Sequence, residues 1–538
     1  MNILGIQSTV GGLQHFTSAS IVIDGKVKGN YEEERFNRIK ESDKFPYLAI
    51  ERCLKNNGLT INDIDVVASP LSLDNLKEFF PDLTKDVKTI YHSHHMGHIC
   101  SAFYQSGFKS AVCLIVDGCG DQNEGVTIAQ VKNNEIKILK KFSIVESLGL
   151  LYTAGANYCN LGESGEGKLM GLAGYGTPNK DIPIIDWDDE TNSIKQYYLK
   201  YDTEDILGLD DNVAVIFEYV ASKISDYFAE NIYPYSDSEK NNLMCYTNFA
   251  ATIQYNYDKI MMKLAKYCKE LTGEDNLVMS GGCANNCIAN NLIVNSKLFK
   301  HFYIDPAPHD GGCALGYALY AAYELGEPIE NKKVDNSYMG KVYTEEEISG
   351  LDAEYSDYDE DKTVSDLADN KIIGWFQGGA EFGPRALGHR SILSNPNSID
   401  MLYKMNNIKG RATWRPLAPV VADELFDLIF DTDNYDLTEF MLRAMPIKES
   451  MKKLIVAVCH IDGTTRPQRL TKQANPELHS LLMNFYRKTG VPCLINTSFN
   501  SSEEPIIETP EQALVFLNTH DAMDSIIFNC RYEVKRRP

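Results

Sequence analysis

Ala111-Val112-Cys113-Leu114-Ile115-Val116-Asp117-Gly118 is a continuous apolar run that ends in a carboxylate and a glycine. Such a run reads as a buried strand. A carboxylate at a strand's carboxyl end, followed here by Gly118 and Gly120, sits where α/β sheets place their ligands. Forward from it come a strand at Val126–Val131, the turn Asn133-Asn134 and a strand at Ile136–Phe142. The N-terminus has the same succession: strands at Asn2–Ile6 and Ala19–Ile23, the turn Asp24-Gly25, then a strand at Lys26–Tyr31. Asp-Gly and Asn-Asn pairs at these places are tight hairpin turns. Two such meanders, each followed by helical segments, predict a duplicated α/β core. Facing halves of that kind bind a nucleotide in the cleft between them.

The segment His94-His95-Met96-Gly97-His98 precedes the quoted strand. On a helix His94 and His98 share a face, with roughly 5–6 Å between β-carbons, the spacing a single metal ion needs from two imidazoles. Asp117 and Asp310 are the carboxylates expected to join them. Asp310 lies in His309-Asp310-Gly311-Gly312, which opens the apolar helix Cys313–Leu325. Two imidazoles and two carboxylates fit Fe(II), Mn(II) or Zn(II), and ligand type alone does not choose among them. Gly281-Gly282-Cys283-Ala284-Asn285-Asn286 follows the short apolar strand Asn276–Ser280 and precedes a helix. Backbone amides at such a turn favour phosphate, and the glycines let the backbone approach a ligand closely. Gly118, Lys168 (within the glycine-rich stretch Gly165–Gly176), Gly281, Gly282, Asn285 and Asn286 are therefore the expected nucleotide-binding residues of this half.

Residues Glu327–Leu351 are polar, with the acidic run Glu345-Glu346-Glu347, and place a boundary that divides the chain into 1–340 and 341–538. Asp352–Lys362 is strongly acidic and reads as solvated surface, with a second α/β unit beginning at Lys371-Ile372-Ile373-Gly374-Trp375-Phe376. This unit carries a dense basic set in an otherwise acidic chain: Arg385, Arg390, Lys409, Arg411, Arg415, His460 and Arg466, interleaved with Asn496, Ser498 and Asn500. Such a collection predicts a pocket for a triphosphate or carbamoyl phosphate.

Composition excludes several classes. No stretch of eighteen apolar residues occurs, so no spanning helix is expected. The N-terminus runs straight into a strand without a basic leader, which predicts a cytoplasmic protein. Thirteen scattered cysteines without a Cys-x-x-Cys pair read as reduced residues. A net charge of −23 disfavours direct nucleic-acid binding, which needs a basic surface.

The chain resembles the O-carbamoyltransferase family typified by the nodulation, cephalosporin and aminoglycoside carbamoyltransferases. The motifs are His15 with Ser18-Ala19-Ser20, Glu33-Glu34-Arg35-Phe36-Asn37-Arg38-Ile39-Lys40, His94–His98, Val116-Asp117-Gly118, Gly165–Gly176, Gly281–Asn286 and Asp310-Gly311-Gly312. Phe382–Ser391, Arg415-Pro416-Leu417-Ala418-Pro419, His460–Gln468 and Asn496–Asn500 complete them. The resemblance implies an N-terminal actin/hexokinase-like (ribonuclease H-like) domain, shared with tRNA threonylcarbamoyl transferases, and a YrdC-like C-terminal domain. It further implies that carbamoyl phosphate and ATP, with Mg compatible, form a carbamoyl-adenylate in the second domain. The first domain would pass the carbamoyl group to a hydroxyl of a small-molecule acceptor, with iron favoured at the metal site. His15 is the candidate base for that hydroxyl; a phosphate contact or a contact behind the metal are its other readings. Carbamoylation of a nucleotide or modified base, a tRNA threonylcarbamoylation-type reaction and an ATP-binding regulator are the alternatives, and a homodimer is compatible. Two departures stand out: Phe16 follows His15 where the family has His-Asp, and Glu503-Glu504-Pro505 replaces Gly-Glu-Pro.

Overall fold

The computed structural model describes residues 1–8, 16–79, 81, 87–162, 164–199, 213–232 and 242–536. The first sheet contains β1 (Asn2–Gln7), β2 (Ser18–Ile23), β3 (Lys26–Glu32), β4 (Val66–Ser69) and β5 (Lys88–Tyr91), in the order β3-β2-β1-β4-β5. The second contains β6 (Ser110–Val116), β7 (Glu124–Lys132) and β8 (Glu135–Ser143). After a small hairpin of β9 (Ile185–Asp188) and β10 (Ser193–Gln196), it is completed by β11 (Asn276–Ser280) and β12 (His301–Ile304). Its order is β12-β11-β6-β7-β8, the first sheet's order read from the other edge. In each sheet an antiparallel meander is extended by two parallel strands. This duplicated arrangement is the actin/hexokinase-like fold.

The turn chemistry explains the repeat. Asp24 and Gly25 have φ of 48° and 73°, Asn133 and Asn134 of 54° and 59°. Positive φ at both central residues is what a twisted two-residue hairpin requires, and Asp, Asn and Gly tolerate it best. The strand β6 is fully buried from Ala111 to Val116, as its unbroken apolar run demands.

Helix Cys313–Glu324 ties the two sheets together. It covers the face of β1 that carries Gly5, whose backbone lies so close that an added Cβ would stand 1.9 Å from the Ala314 carbonyl oxygen. The opposite face of β1, with Leu4 and Ile6, belongs to a separate apolar cluster with Ala49, Ile50 and Cys53 of helix Tyr47–Asn56. The same helix Cys313–Glu324 crosses helix His94–Ser106 at Gly97 and Gly316: a Cβ on Gly316 would stand 1.8 Å from the Gly97 carbonyl oxygen.

The C-terminal half is an α/β unit on one mixed sheet, consistent with the YrdC-like expectation. Its strands are β13 (Tyr355–Asp357), β14 (Ile373–Phe376), β15 (Arg390–Ser394) and β16 (Ala418–Ala422). After the small pair β17 (Met445–Pro446) and β18 (Thr464–Thr465) come β19 (Gln468–Leu470), β20 (Leu494–Ser498), β21 (Ser525–Phe528) and β22 (Tyr532–Lys535). The large sheet runs β13-β22-β21-β14-β15-β20-β16-β19. Two details add to the sequence reading. The acidic stretch Asp352–Lys362 lies at the surface, as expected, and within it Tyr355–Asp357 forms an edge strand on β22, an edge being where acidic side chains are tolerated. Glu360 opens helix Glu360–Ala368, capped by the Asp359 side chain. In the first half, the stretch read as glycine-rich forms helix Glu166–Ala173. The helical pattern over Ile216–Leu271 resolves into Val213–Tyr227, Phe228–Ile232 and Thr247–Thr272, with residues 233–241 outside the described set.

The halves interlock. Leu387, Ala418, Leu437, Phe440, Met441 and Leu442 pack into the apolar core of the first half. The Asn290 side-chain amide donates to the Leu442 carbonyl at 2.8 Å.

Candidate metal centre and anion pocket

Helix His94–Ser106 begins at the first histidine. The Asp121 carboxylate, 27 residues away, accepts the His94 backbone N–H at 3.0 Å, an anion at the positive end of the helix. One turn on, the Gly97–Gly316 crossing presses this helix against the one that Asp310 precedes. Within the helix, the His94 and His98 Nε2 atoms, one turn apart, stand 3.1 Å from each other. Asp117 Oδ2 lies 3.0 Å from His94 Nε2 and 3.4 Å from His98 Nε2. Asp310 Oδ1 lies 3.4 and 3.7 Å from the same two atoms. All four ligand atoms fall within 4.8 Å of one another.

Hydrogen bonds hold the set. Asp117 Oδ1 accepts the Gly282 N–H at 2.9 Å. His98 Nδ1 meets the Ser280 hydroxyl at 3.1 Å. His95 points elsewhere, to the Thr127 hydroxyl at 2.7 Å, and burial drives its basicity down. Burial opposes charge on His94 and His98 too. Asp310 and Asp117 outweigh it at His94. At His98 the Cys313 sulfur and hydrogen bonds accepted by the two aspartates do so, so both imidazoles lie well above the ordinary histidine value. Asp117, despite burial, is held well below the carboxylate range by the two histidines. Two imidazolium rings with nitrogens 3.1 Å apart would repel, whereas one divalent cation would satisfy both rings and both carboxylates. The residues therefore fit a metal ion. Cys313, also grouped with His94 and His98, is a further potential donor that sequence reasoning did not select; its signal was its place directly after Asp310-Gly311-Gly312.

Of the expected nucleotide residues, Gly281 has φ 92° and a backbone so close to β6 that a Cβ would lie 2.2 Å from the Val116 carbonyl oxygen. Only glycine fits there. Gly118 and Gly282 flank Asp117. Asn286 caps helix Cys287–Asn295 and pairs with Gln254. The Asn285 Oδ1 atom is buried without a hydrogen-bond partner, and Lys168 Nζ donates to the Leu161 carbonyl at 2.8 Å. His15 lies outside the described residues.

The basic residues of the second half divide into two groups. Arg390 is wholly buried: its guanidinium donates to the backbone carbonyls of Gln377, Gly378 and His389 and lies 3.6 Å over the Phe376 ring. Arg385, Arg411, Arg415 and Arg466 form the other group. No carboxylate pairs with them among the described residues, and Arg385 Nε is buried without a partner. Burial and then the neighbouring guanidinium groups push Arg385 and Arg411 down to about 9; Arg415 is lowered in the same way. Burial takes His460 down to about 4. Lys409 is buried, its Nζ donating to the Ser498 hydroxyl at 3.0 Å and to the Asn500 carbonyl and side-chain oxygens at 2.7 and 2.9 Å. Asn496 lies behind, its amide on Gln468 and the Ala386 carbonyl. Two of the group act electrostatically on the first half: the charges of Arg466 and Arg385 oppose the upward push of burial on the Cys287 thiol, and that of Arg385 adds to burial in lowering His309, next to Asp310.

The carbamoyltransferase C-terminus family model matches residues 364–534 and the carbamoyltransferase N-terminus model residues 75–319. Nodulation protein NolNO of Sinorhizobium fredii is 32% identical over 97% of this chain and 79% of its own length. The 3'-hydroxymethylcephem-O-carbamoyltransferase of Amycolatopsis lactamdurans is 31% identical over 48% of each chain. Among solved structures, full-length HypF in its phosphate- and nucleotide-bound form is similar at 14% identity and a TM-score of 0.37, over 61% of this chain and 56% of that one. The chain belongs to the carbamoyltransferase family and is thereby a transferase. Among the described residues no helix is long and apolar enough to cross a membrane.

Proposed function

We propose that this chain is an ATP-dependent O-carbamoyltransferase working through a carbamoyl-adenylate, with the division of labour falling near residue 340. The observation that carries the reading is the group of four buried arginines, close enough to repel one another and without carboxylate partners among the described residues. Arg385, Arg411, Arg415 and Arg466 would neutralise the phosphates of ATP and carbamoyl phosphate. Water releases phosphate from carbamoyl phosphate, the carbamate oxygen attacks the α-phosphorus of ATP, and pyrophosphate leaves. The acceptor hydroxyl then attacks the carbamoyl carbon and AMP leaves. A divalent ion on His94, His98, Asp117 and Asp310, iron by family resemblance, would supply Lewis-acid stabilisation of the charge developing in that transfer. Gly118, Gly281 and Gly282 would let the backbone approach the adenylate, and His15 is assigned, on sequence alone, to take the acceptor proton. The acceptor class is a small hydroxylated molecule.

The test is incubation of the full-length protein with ATP and carbamoyl phosphate, following pyrophosphate, then AMP and a mass gain of one carbamoyl group across a panel of hydroxylated acceptors. Pyrophosphate release that does not depend on carbamoyl phosphate would overturn the reading.

A further inference from the structure

From the segment Glu32–Lys40 of the first half, the basic side chains Arg35, Arg38 and Lys40 reach the second. Arg35 is 3% exposed, held by Glu32 and Glu34, and donates to the Gly383 carbonyl at 2.5 Å. Arg38 follows a one-turn helix and has φ 63°, a left-handed backbone that a non-glycine residue keeps only where its surroundings fix it. Here they do: the Arg38 guanidinium donates to the carbonyls of Pro505 and Ile506, each at 2.8 Å, and meets Glu504 Oε2 at 3.3 Å. Lys40 Nζ donates to the Ser502 carbonyl at 2.6 Å. None of these contacts belongs to the ligand cluster or to the arginine group.

Glu504 matters because of where its loop leads. Its backbone carbonyl accepts the Asn500 side-chain amide at 2.6 Å, and Asn500 in turn holds Lys409 with two oxygens. Lys409 also receives the charges of Arg411, Arg415 and Lys40, with Glu504 acting as the opposing charge. Glu504 is thus an acidic side chain at the border of a strongly cationic pocket whose arginines have no carboxylate partner among the described residues. Among the described residues, Ser501 and Arg38 hold its carboxylate in place, Ser501 through its N–H at 3.1 Å and its hydroxyl at 2.8 Å. A carboxylate released there would be drawn toward the guanidinium groups and compete with an incoming phosphate.

We propose that Arg38 is a positioning residue that restrains Glu504 from occupying the anion pocket, so that docking of the first half is what keeps the pocket open for phosphate ligands. The proposal rests on reading the arginine group as an anion pocket. It predicts a specific epistasis. Arg38→Ala frees the carboxylate and weakens anion binding. Glu504→Gln removes the charge and restores binding even without Arg38. A merely structural role for Arg38 gives no such rescue.

The test is calorimetric binding of inorganic pyrophosphate to full-length wild type, Arg38→Ala, Arg38→Lys, Glu504→Gln and the Arg38→Ala/Glu504→Gln double variant. It is paired with the KM for ATP in the pyrophosphate-release assay. The expected result is a Kd and KM about 5–20-fold higher in Arg38→Ala with little change in kcat, values between those and wild type in Arg38→Lys, and a double variant within about twofold of Glu504→Gln. Equal pyrophosphate affinity in wild type and Arg38→Ala overturns the proposal, as does a double variant no better than Arg38→Ala. A wild type that binds pyrophosphate but consumes no carbamoyl phosphate overturns the functional reading alone; one that binds no pyrophosphate overturns both.

Discussion

Replacing Gly316 by alanine separates two forces that usually act together. The residue lies inside helix Cys313–Glu324, where alanine is intrinsically favoured over glycine by about 1 kcal/mol. The new Cβ, however, would sit 1.8 Å from the Gly97 carbonyl oxygen, whereas ordinary contact begins at 3.4 Å. The two helices must then part by about 1.6 Å, and overpacking of that kind costs about 1–3 kcal/mol. The same displacement moves Asp310 and Cys313 away from His94 and His98, while metal–ligand distances tolerate only about 0.2 Å. Gly316→Ala is therefore expected to melt below wild type and to lose most bound divalent metal. Gly167→Ala, a helical glycine with nothing within 4 Å of its would-be Cβ, should be neutral or stabilising and keep the metal. Thermal unfolding by circular dichroism and elemental analysis of the purified proteins decide the matter. A Gly316→Ala protein that melts at or above wild type with full metal content would falsify the argument that this crossing sets the site.

His94→Ala or Asp310→Ala should remove most bound metal and carbamoyl transfer while leaving the far-ultraviolet dichroism unchanged; full metal by elemental analysis would exclude that residue as a ligand. Arg415→Ala and Arg466→Ala should each weaken adenylate formation by roughly 1.5–3 kcal/mol, the worth of a charge-assisted contact, yet keep the metal; pyrophosphate release at the wild-type rate would refute this. Glu33 is 3% exposed, and burial raises its carboxyl to about 7, against the Ala49 N–H it accepts at 2.8 Å. The folded protein therefore holds this proton more tightly than the unfolded chain. Its contribution is full below the unfolded value of 4.5 and is lost as pH rises toward about 7. Glu33→Gln should thus gain stability relative to wild type as pH rises from 5 to 8, by about 2 kcal/mol. Parallel denaturant curves for the two proteins over that range check this, and a stability difference that stays constant from pH 5 to 8 would refute it.

The repeated meander was legible because its determinants are local: an apolar run, a turn pair, a second run. The Asp24-Gly25 and Asn133-Asn134 turns and the fully buried β6 stand where their residues require. The pair His94 and His98 was legible for the same reason, being one helical turn apart. What brings them to Asp310 was not, because the Gly97–Gly316 crossing joins residues far apart in the chain, and each glycine alone is only a weak point in a helix. Arg390 shows the converse. In sequence it is one more arginine in a basic run, and only the fold reveals that backbone carbonyls and the Phe376 ring consume its guanidinium. Arg38 and Glu504 were quoted as parts of separate motifs, and nothing in a linear reading pairs residues 466 positions apart.

The covering of β1 by helix Cys313–Glu324 has a meaning for synthesis. Strand β1 packs Gly5 against Ala314, and Gln7 accepts the Tyr317 hydroxyl proton at 3.0 Å. At about 5–20 residues per second, that strand waits roughly 15–60 s for the helix that shields it. Arg35 and Arg38 wait longer still, for Gly383 and Ile506. The nascent chain thus carries an open face of β1 until residues some 310 positions downstream have been made.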